Sequence, residues 1–359
     1  MDDAYAMWRA LALAERGRST VSPNPLVGCV IVAHDQVVGE GWHEVAGGPH
    51  AEVVALAAAG AAARGATVYV TLEPCAHTGR TAPCVDALLR AGVSRVVVAC
   101  DDPNPPAAGG AEILRDAGVT VHNGLLRAQA ERQNEVFFHG LRAQRPFVWL
   151  KSAVSLDGRV AAADGSSQWL TGIAARQRAH ELRAQVDAVL VGSGTVLADD
   201  PQLTVRLAGR RGPQPLRVVL DGRARSPVNA RVFDDRAPSL LMVAPGAVVD
   251  MHREAKIDTV EIPTGRDGHL DVDAALGVLW RREVRSVLVE GGPTVTTAFV
   301  AGDIYERLVV HVAPLLLGSG GRPAVFDGPD TLSAASRLTL DHVERVGDDT
   351  VLQLVRQRE

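Results

Sequence analysis

The stretch Thr71-Leu72-Glu73-Pro74-Cys75-Ala76-His77-Thr78-Gly79-Arg80-Thr81-Ala82-Pro83-Cys84 follows an apolar strand pattern, Thr67 to Leu72, and lies downstream of His50-Ala51-Glu52. One imidazole and two thiolates make a three-ligand zinc set of His50, Cys75 and Cys84. Three protein ligands leave the fourth tetrahedral position open, as catalytic zinc requires. Glu52 is then the base that carries a proton from water to a leaving group. The ligand segments fall at expected helix starts, where free N–H groups and the helix dipole favour thiolate. Two features resist this reading. Residues two apart on a helix lie about 200° around its axis, so His50 and Glu52 converge only if His50 stands at the very start of the helix. Zinc deaminases commonly space their cysteines as P-C-x-x-C, whereas eight residues separate Cys75 from Cys84 here. Taken singly, these residues also describe a helix-capping histidine and two core cysteines. Cys29 and Cys100, in apolar strands, read as core.

Outward from this stretch, helix and strand patterns alternate. Residues 2–17 read as an amphipathic helix with Tyr5, Trp8 and Leu11 at helical spacing. Strands are expected at 27–32 and 36–42, joined by a turn at His34-Asp35. A helix over 51–63, the strand at 67–72, a helix over 84–91 and a strand at 95–100 follow, then a helix over 112–117 and a strand at 119–122. This is the pattern of a three-layer α/β domain. Residues 125–146, with a polar helix over 127–134, read as a connection. The boundary is placed before Pro146, giving domains 1–145 and 146–359. The second half alternates again, with strands near 147–154, 187–192, 216–221, 239–243, 286–290, 307–313 and 351–355 and helices near 172–185, 271–282 and 294–301.

Composition agrees with two folded domains. The chain has 359 residues, against about 150 per domain. Hydrophobic residues make up 47% and charged residues 22%, which excludes intrinsic disorder. A net charge of -5 and only 4% aromatics argue against nucleic-acid binding. No apolar run reaches a membrane span, and no signal peptide is read at the start. Four cysteines are too few for a disulfide scaffold, so a cytoplasmic setting is expected. Of the 37 basic residues, only Lys151 and Lys256 are lysines.

Three segments of the second half point to a nucleotide. They are Lys151-Ser152-Ala153-Val154-Ser155-Leu156-Asp157-Gly158-Arg159 leading to Ser167-Gln168-Trp169, then Gly192-Ser193-Gly194-Thr195 through Asp199 to Arg206, and Val289-Glu290-Gly291-Gly292-Pro293-Thr294. In the last, glycines permit close backbone approach, and a helix start with proline at its first position offers free N–H groups to phosphate. Each segment alone is weak.

The run from Thr71 to Cys84, with Pro23-Asn24-Pro25-Leu26-Val27-Gly28, Gly39-Glu40-Gly41-Trp42-His43 and Asp102-Pro103-Asn104-Pro105, resembles the riboflavin-biosynthesis branch of the cytidine-deaminase-like superfamily. That branch carries the longer loop between its cysteines. Ala76, Ala82 and Pro106-Ala107-Ala108 depart from its usual residues without touching a ligand. Residues 147–355 resemble the reductase of the same pathway, so both halves are similar to one bifunctional family. The resemblance implies a cytidine-deaminase-like domain followed by a dihydrofolate-reductase-like one. It implies Zn²⁺ and NADPH as cofactors and a small phosphoribosyl pyrimidine as substrate. The expected reactions are hydrolytic deamination of 2,5-diamino-6-(5-phosphoribosylamino)pyrimidin-4(3H)-one, then reduction of 5-amino-6-(5-phosphoribosylamino)uracil to the ribityl compound. A homo-oligomer is expected, with neither nucleic acid nor membrane as partner.

The resemblance also assigns residues. Asn24, His43, His77, Arg80, Asp101 and Asn104 would line the deaminase pocket. A fourth ligand would close the zinc site, so His77 is read as a pocket residue. Ala153, Trp169, Thr195, Asp199, Gly222 and the run Gly292, Pro293, Thr294, Val295, Thr296, Thr297 and Ala298 would contact NADPH. Gly222 stands where relatives carry a side chain. Ser167, Arg183, Leu203, Arg206 and Glu290 would contact substrate, with Arg183 and Arg206 as a phosphate clamp. Lys151 is singled out by composition: in a chain that uses arginine almost everywhere, a retained lysine on a buried strand fits a need for a compact ammonium of tunable pKa. It is read as a catalytic group at the ribose, with Asp199 nearby. A nucleic-acid deaminase and a scaffold with a dead domain are the rival readings. The first lacks a basic charge balance, and the second is opposed by the complete zinc set.

Overall fold

The computed structural model describes residues 1–77, 82–265, 267–325 and 331–356. The chain forms two compact units, Met1–Gln144 with Arg211–Pro213, and Arg145–Arg210 with Gln214–Glu359.

The first unit is built on five strands, β1 (Gly28–Ala33), β2 (Gln36–Trp42), β3 (Thr67–Leu72), β4 (Arg95–Cys100) and β5 (Thr120–Asn123), in the order β2-β1-β3-β4-β5. β1 is antiparallel to both its neighbours, and β3, β4 and β5 run parallel. His34 and Asp35 both take positive φ in the β1–β2 turn, the geometry of a tight hairpin. Alternate strand residues point to opposite faces. Cys29, Ile31, Val68, Val70, Val96 and Val98 pack under helices α2 (Ala51–Ala59) and α3 (Cys84–Ala91). Val30, Val32, Tyr69, Val97 and Ala99 pack against Ala6, Met7, Ala10 and Leu11 of α1 (Asp3–Ala14). The result is a three-layer α/β unit, completed by α4 (Gly110–Asp116), α5 (Arg127–Gln133) and α6 (Glu135–Ala143).

Small residues set the spacing of these layers. A Cβ on Gly28 would lie 2.0 Å from the Ala10 carbonyl oxygen, and one on Gly39 would lie 2.3 Å from that of Ala55. The helices therefore ride directly on the strands. This corrects the expected face of the first helix. Leu11 is buried, but Tyr5 and Trp8 are 58% and 52% exposed, because the tight approach at Gly28 leaves no room for aromatic rings beneath. The alanine run of α2 has the same cause.

The second unit contains β6 (Phe147–Ser155), β7 (Arg159–Ala161), α7 (Ile173–Arg183), β8 (Ala188–Gly192), α8 (Ser193–Asp199), β9 (Leu216–Leu220), β10 (Ser239–Val243), α9 (Asp250–Glu254), β11 (Asp258–Glu261), α10 (Val272–Arg281), β12 (Ser286–Val289), α11 (Pro293–Ala301), β13 (Arg307–Ala313), β14 (Arg322–Pro323), β15 (Leu338–Val346) and β16 (Asp349–Arg356). Nine of the strands form one sheet, ordered β11-β10-β9-β8-β12-β6-β13-β16-β15. It is parallel from β11 to β13, and β16 and β15 add an antiparallel ribbon. β8 and β12 are buried at every residue, as expected for parallel strands covered on both faces. The helices α6, α8 and α9 and the strands β7, β11, β14 and β15 were not read from sequence.

Candidate active sites

In the first unit the C-terminal end of β3 delivers Cys75, and the starts of α2 and α3 deliver His50 and Cys84. His50 is the N-cap of α2, with extended φ and ψ of -73° and 160°. It therefore stands off the helix and escapes the helical offset from Glu52. The His50 Nδ1 atom lies 3.1 Å from Cys84 Sγ and 3.5 Å from Cys75 Sγ. All three donor atoms fall within 4.8 Å of one another. Tetrahedral zinc with ordinary bond lengths places such atoms about 3.6–3.8 Å apart, so the set fits the ion. The Cys84 backbone N–H, at the start of α3, donates to Cys75 Sγ at 3.4 Å. The Cys75 thiol is drawn down, by its hydrogen bond to Cys84 first and by His50 after, while Cys84 is pushed up by Cys75. The charge of a bound Zn²⁺ favours the thiolate form of both.

Glu52 is 3% exposed, and burial raises its carboxyl against the pull of His50. A carboxyl raised by burial is suited to taking up and returning a proton. His43 is buried, and its Nδ1–H donates to the Pro49 carbonyl at 3.0 Å. Burial also lowers its pKa, so Nε2 accepts from the Asn24 amide Nδ2 at 3.0 Å. That bond orients Asn24 and leaves its carbonyl oxygen as an acceptor. His77 Nδ1 is buried with no partner among the described residues. Arg80 lies outside the described residues.

Asp101 is not part of this group: it is exposed and bound to Asn123 at 2.7 Å and Arg127 at 2.8 Å. The buried aspartate is Asp102, raised to about 6 by burial, with Glu73 and Cys75 adding to the shift. Its Oδ1 accepts from the Asn104 N–H at 2.9 Å. Sequence reading missed Asp102 and also Glu73, whose carboxylate accepts from the N–H groups of Asp102 and Ala111 at 3.2 and 2.9 Å. Glu73 thereby ties the loop after β4 to the cysteine loop. Ala107, a departure from the usual bulkier residue, packs with Cys75 and Cys84.

In the second unit a single cleft of ≈ 1480 Å³ is lined by Lys151, Ala153, Ser167, Trp169, Arg183, Thr195, Asp199, Leu203, Arg206, Gly222, Glu290 and the run Gly292 to Ala298. Such a volume exceeds the 300–1,000 Å³ or so of an ordinary single-ligand pocket and suits two ligands side by side. Gly292 is the N-cap of α11, with Pro293 in the first turn. A Cβ on Gly291 would meet Val295 at 2.6 Å and one on Gly192 at 2.7 Å, so these glycines allow the strand ends to close on α11. Trp169 is 68% exposed, with the Arg176 guanidinium 4.6 Å from its ring centre.

The charged centre of the cleft differs from the sequence reading in two respects. Arg183 does not pair with Arg206 as a clamp; it holds Glu290 through two hydrogen bonds of 2.6 and 3.0 Å. Its charge is compensated there, and Arg206 is left as the exposed arginine of the pair. The carboxylate beside Lys151 is Glu290, 3.9 Å from Nζ. Asp199 instead accepts from Ser167 and Gln168, both at 3.2 Å. Burial would raise Glu290, yet Arg183, followed by Lys151 and His311, brings it down to about 2. Burial lowers Lys151, while Glu290 opposes that shift.

Family models match both halves. Residues 1–100 match the cytidine and deoxycytidylate deaminase zinc-binding region, and residues 146–352 match the RibD C-terminal domain. The riboflavin biosynthesis protein RibD of Escherichia coli is 44% identical over 369 residues, covering 99% of this chain and 100% of that protein. The chain belongs to the RibD family. The RibD of Mycobacterium tuberculosis is 44% identical over 98% of this chain and 96% of that protein. Among solved structures, Acinetobacter baumannii RibD has 41% identity and a TM-score of 0.90, with 99% of each chain covered. A Thermotoga maritima diaminohydroxyphosphoribosylaminopyrimidine deaminase/5-amino-6-(5-phosphoribosylamino)uracil reductase has 34% identity and a TM-score of 0.88, again with 99% of each covered. The RibD architecture, a cytidine-deaminase-like domain followed by a dihydrofolate-reductase-like one, is that of this chain, and its activities are deamination and reduction in riboflavin biosynthesis.

Proposed function

We propose that residues 1–145 remove the 2-amino group of 2,5-diamino-6-(5-phosphoribosylamino)pyrimidin-4(3H)-one. Residues 146–359 then reduce the ribosyl group of 5-amino-6-(5-phosphoribosylamino)uracil with NADPH. The observation that carries this reading is the pairing of an open His50–Cys75–Cys84 tripod beside buried Glu52 with a two-ligand cleft around Lys151 and Glu290. Zinc, when bound, supplies the Lewis acidity that activates water. Glu52 takes the proton of that water and returns it to the departing amine. Asn24, oriented by His43, accepts from a pyrimidine N–H. His77 and Asn104 complete the pocket. NADPH supplies the hydride. Lys151 delivers a proton to the ribose ring oxygen as the ring opens, and Glu290 keeps its ammonium aimed into the cleft. Arg206 takes the substrate phosphate, with Ser167 and Leu203 beside it.

The test is ammonia release and NADPH oxidation with the pathway substrates. Glu52→Ala abolishes the first and spares the second; loss of neither, or of both in a folded protein, overturns the assignment. We also infer a homo-oligomer and a cytoplasmic setting. Edge strand β15 carries Leu340 and Val343 54% and 53% exposed, an edge that a second copy would cover. The four cysteines are all free, and no helix among the described residues is long and apolar enough to cross a membrane. A monomer by light scattering would remove the first inference.

A further inference from the structure

The strand β9 reads Leu216-Arg217-Val218-Val219-Leu220, and its arginine is fully buried. A buried guanidinium is costly unless it is paired and hydrogen-bonded. Arg217 finds its partners in loops rather than in another strand. Its Nη1 donates to the Asp234 carboxylate at 2.6 Å, to the Arg231 carbonyl at 3.1 Å and to the Gln202 carbonyl at 3.4 Å. Its Nη2 donates to the carbonyls of Asp234 and Ala237. One side chain therefore joins two segments far apart in sequence, 200–206 and 231–237.

Both segments bring an exposed arginine to the cleft, Arg206 and Arg231. Among the described residues the Arg206 guanidinium bonds only neutral groups, Gln202 Oε1 and Thr204 Oγ1, each at 3.4 Å. The Arg231 backbone N–H donates to Asp200 Oδ1 at 2.8 Å. Its guanidinium has no hydrogen-bond or ion-pair partner among the described residues. Desolvation, then the charges of Arg183, Arg231 and Arg236, weaken the hold of Arg206 on its proton. Arg183 is neutralised by Glu290, so Arg206 and Arg231 remain as neighbouring cations with no carboxylate between them. Like charges move apart unless the backbone that carries them is fixed. The loop 200–206 is not fixed by its own conformation, because Asp200 and Leu203 hold φ of 39° and 55°, a region that residues other than glycine rarely adopt. The hold comes from behind, through Arg217 and through Gln202. The Gln202 amide donates to Asp234 Oδ2 at 3.2 Å, and its oxygen accepts from Thr204 as well as Arg206.

We propose that Arg231 joins Arg206 in binding the phosphate of the substrate, and that Arg217 is the positioning residue that holds the two side by side. The proposal rests on the reading of Arg206 given above. Lysine is no substitute for Arg217, because an ammonium lacks the planar fork that reaches two backbone segments and a carboxylate at once.

The test is steady-state reductase kinetics of the full-length protein with 5-amino-6-(5-phosphoribosylamino)uracil. The corresponding riboside, which lacks the phosphate, serves as a competitive inhibitor. Arg231→Gln raises KM at least about tenfold, the loss of one charge-assisted contact, and leaves the inhibition constant of the riboside unchanged. Arg217→Lys does the same, with kcat within about twofold of the wild type, the pattern of lost binding rather than lost chemistry. Asp234→Asn, at a half-buried partner of Arg217, moves KM in the same direction and carries the test where Arg217→Lys does not fold. An unchanged KM in Arg231→Gln overturns the proposal. So does an Arg217→Lys enzyme that loses kcat and weakens riboside and substrate alike, the mark of a merely structural role. An unchanged KM in Arg206→Gln overturns instead the reading on which the proposal rests.

Discussion

Lys151, Glu290 and Arg183 show how one buried carboxylate organises a site. Arg183 is the partner that lets Glu290 stay ionised. Arg183→Met removes it and leaves the Lys151 ammonium, 3.9 Å away, as the remaining ion-pair partner among the described residues. Uncompensated buried charge costs about 3–5 kcal/mol, so a large fall in chemical-denaturation stability is expected. Arg183→Met with Glu290→Gln recovers much of the loss. The pH dependence has a definite sign. Glu290 is held at about 2, against an ordinary 4.5. Its contribution is therefore complete above about pH 4.5 and lost as pH falls towards 2. Wild type should show this acid loss in urea titrations, and Glu290→Gln should lack it. Lys151→Arg keeps the charge but not the compact, tunable ammonium. Its reductase turnover should fall by tenfold or more, in the range of general acid–base catalysis, and unchanged steady-state rates would remove the assigned role.

The zinc tripod depends on how elements meet, and its tightest joint is Gly110, the first residue of α4. A Cβ there would lie 1.8 Å from the Pro74 carbonyl oxygen. Gly110→Ala must push α4 away from the segment that carries Cys75. We expect a lower melting temperature together with weaker zinc retention, measured by metal analysis after dialysis against a mild chelator. A variant that melts lower but keeps its zinc would separate packing from metal binding. The elements missed by sequence reading have local causes. In β15 the pairing register shifts between Leu340 and His342, which breaks the two-residue alternation that marks a strand. In α6, Gly140 interrupts an already short apolar pattern.

For the molecule as a whole, two chemistries with different cofactors predict separable losses. A strong chelator should abolish ammonia release and leave NADPH oxidation with the aminouracil substrate intact, because no residue of the cleft belongs to the zinc set. Zinc added back should restore the first activity. Loss of NADPH oxidation on chelation would mean that the metal supports the reductase fold.

Sequence alone determined most of the alternating elements, the His50, Cys75 and Cys84 set, and part of the cleft lining, including Lys151, Glu290 and the run Gly292 to Ala298. These are carried by local signals: period-two and helical hydrophobic patterns, glycine stops, and cysteines at strand and helix ends. Tertiary structure decided what no spacing encodes. It showed that His50 stands outside its helix, that Asp102 rather than Asp101 turns inward, and that Arg183 is taken by Glu290. It also showed that Tyr5 and Trp8 face outward over a helix seated on glycine. Each of these depends on which charge or surface from a distant segment arrives first. That competition is settled by burial and pairing in three dimensions, where an ionised group keeps its charge only beside a partner.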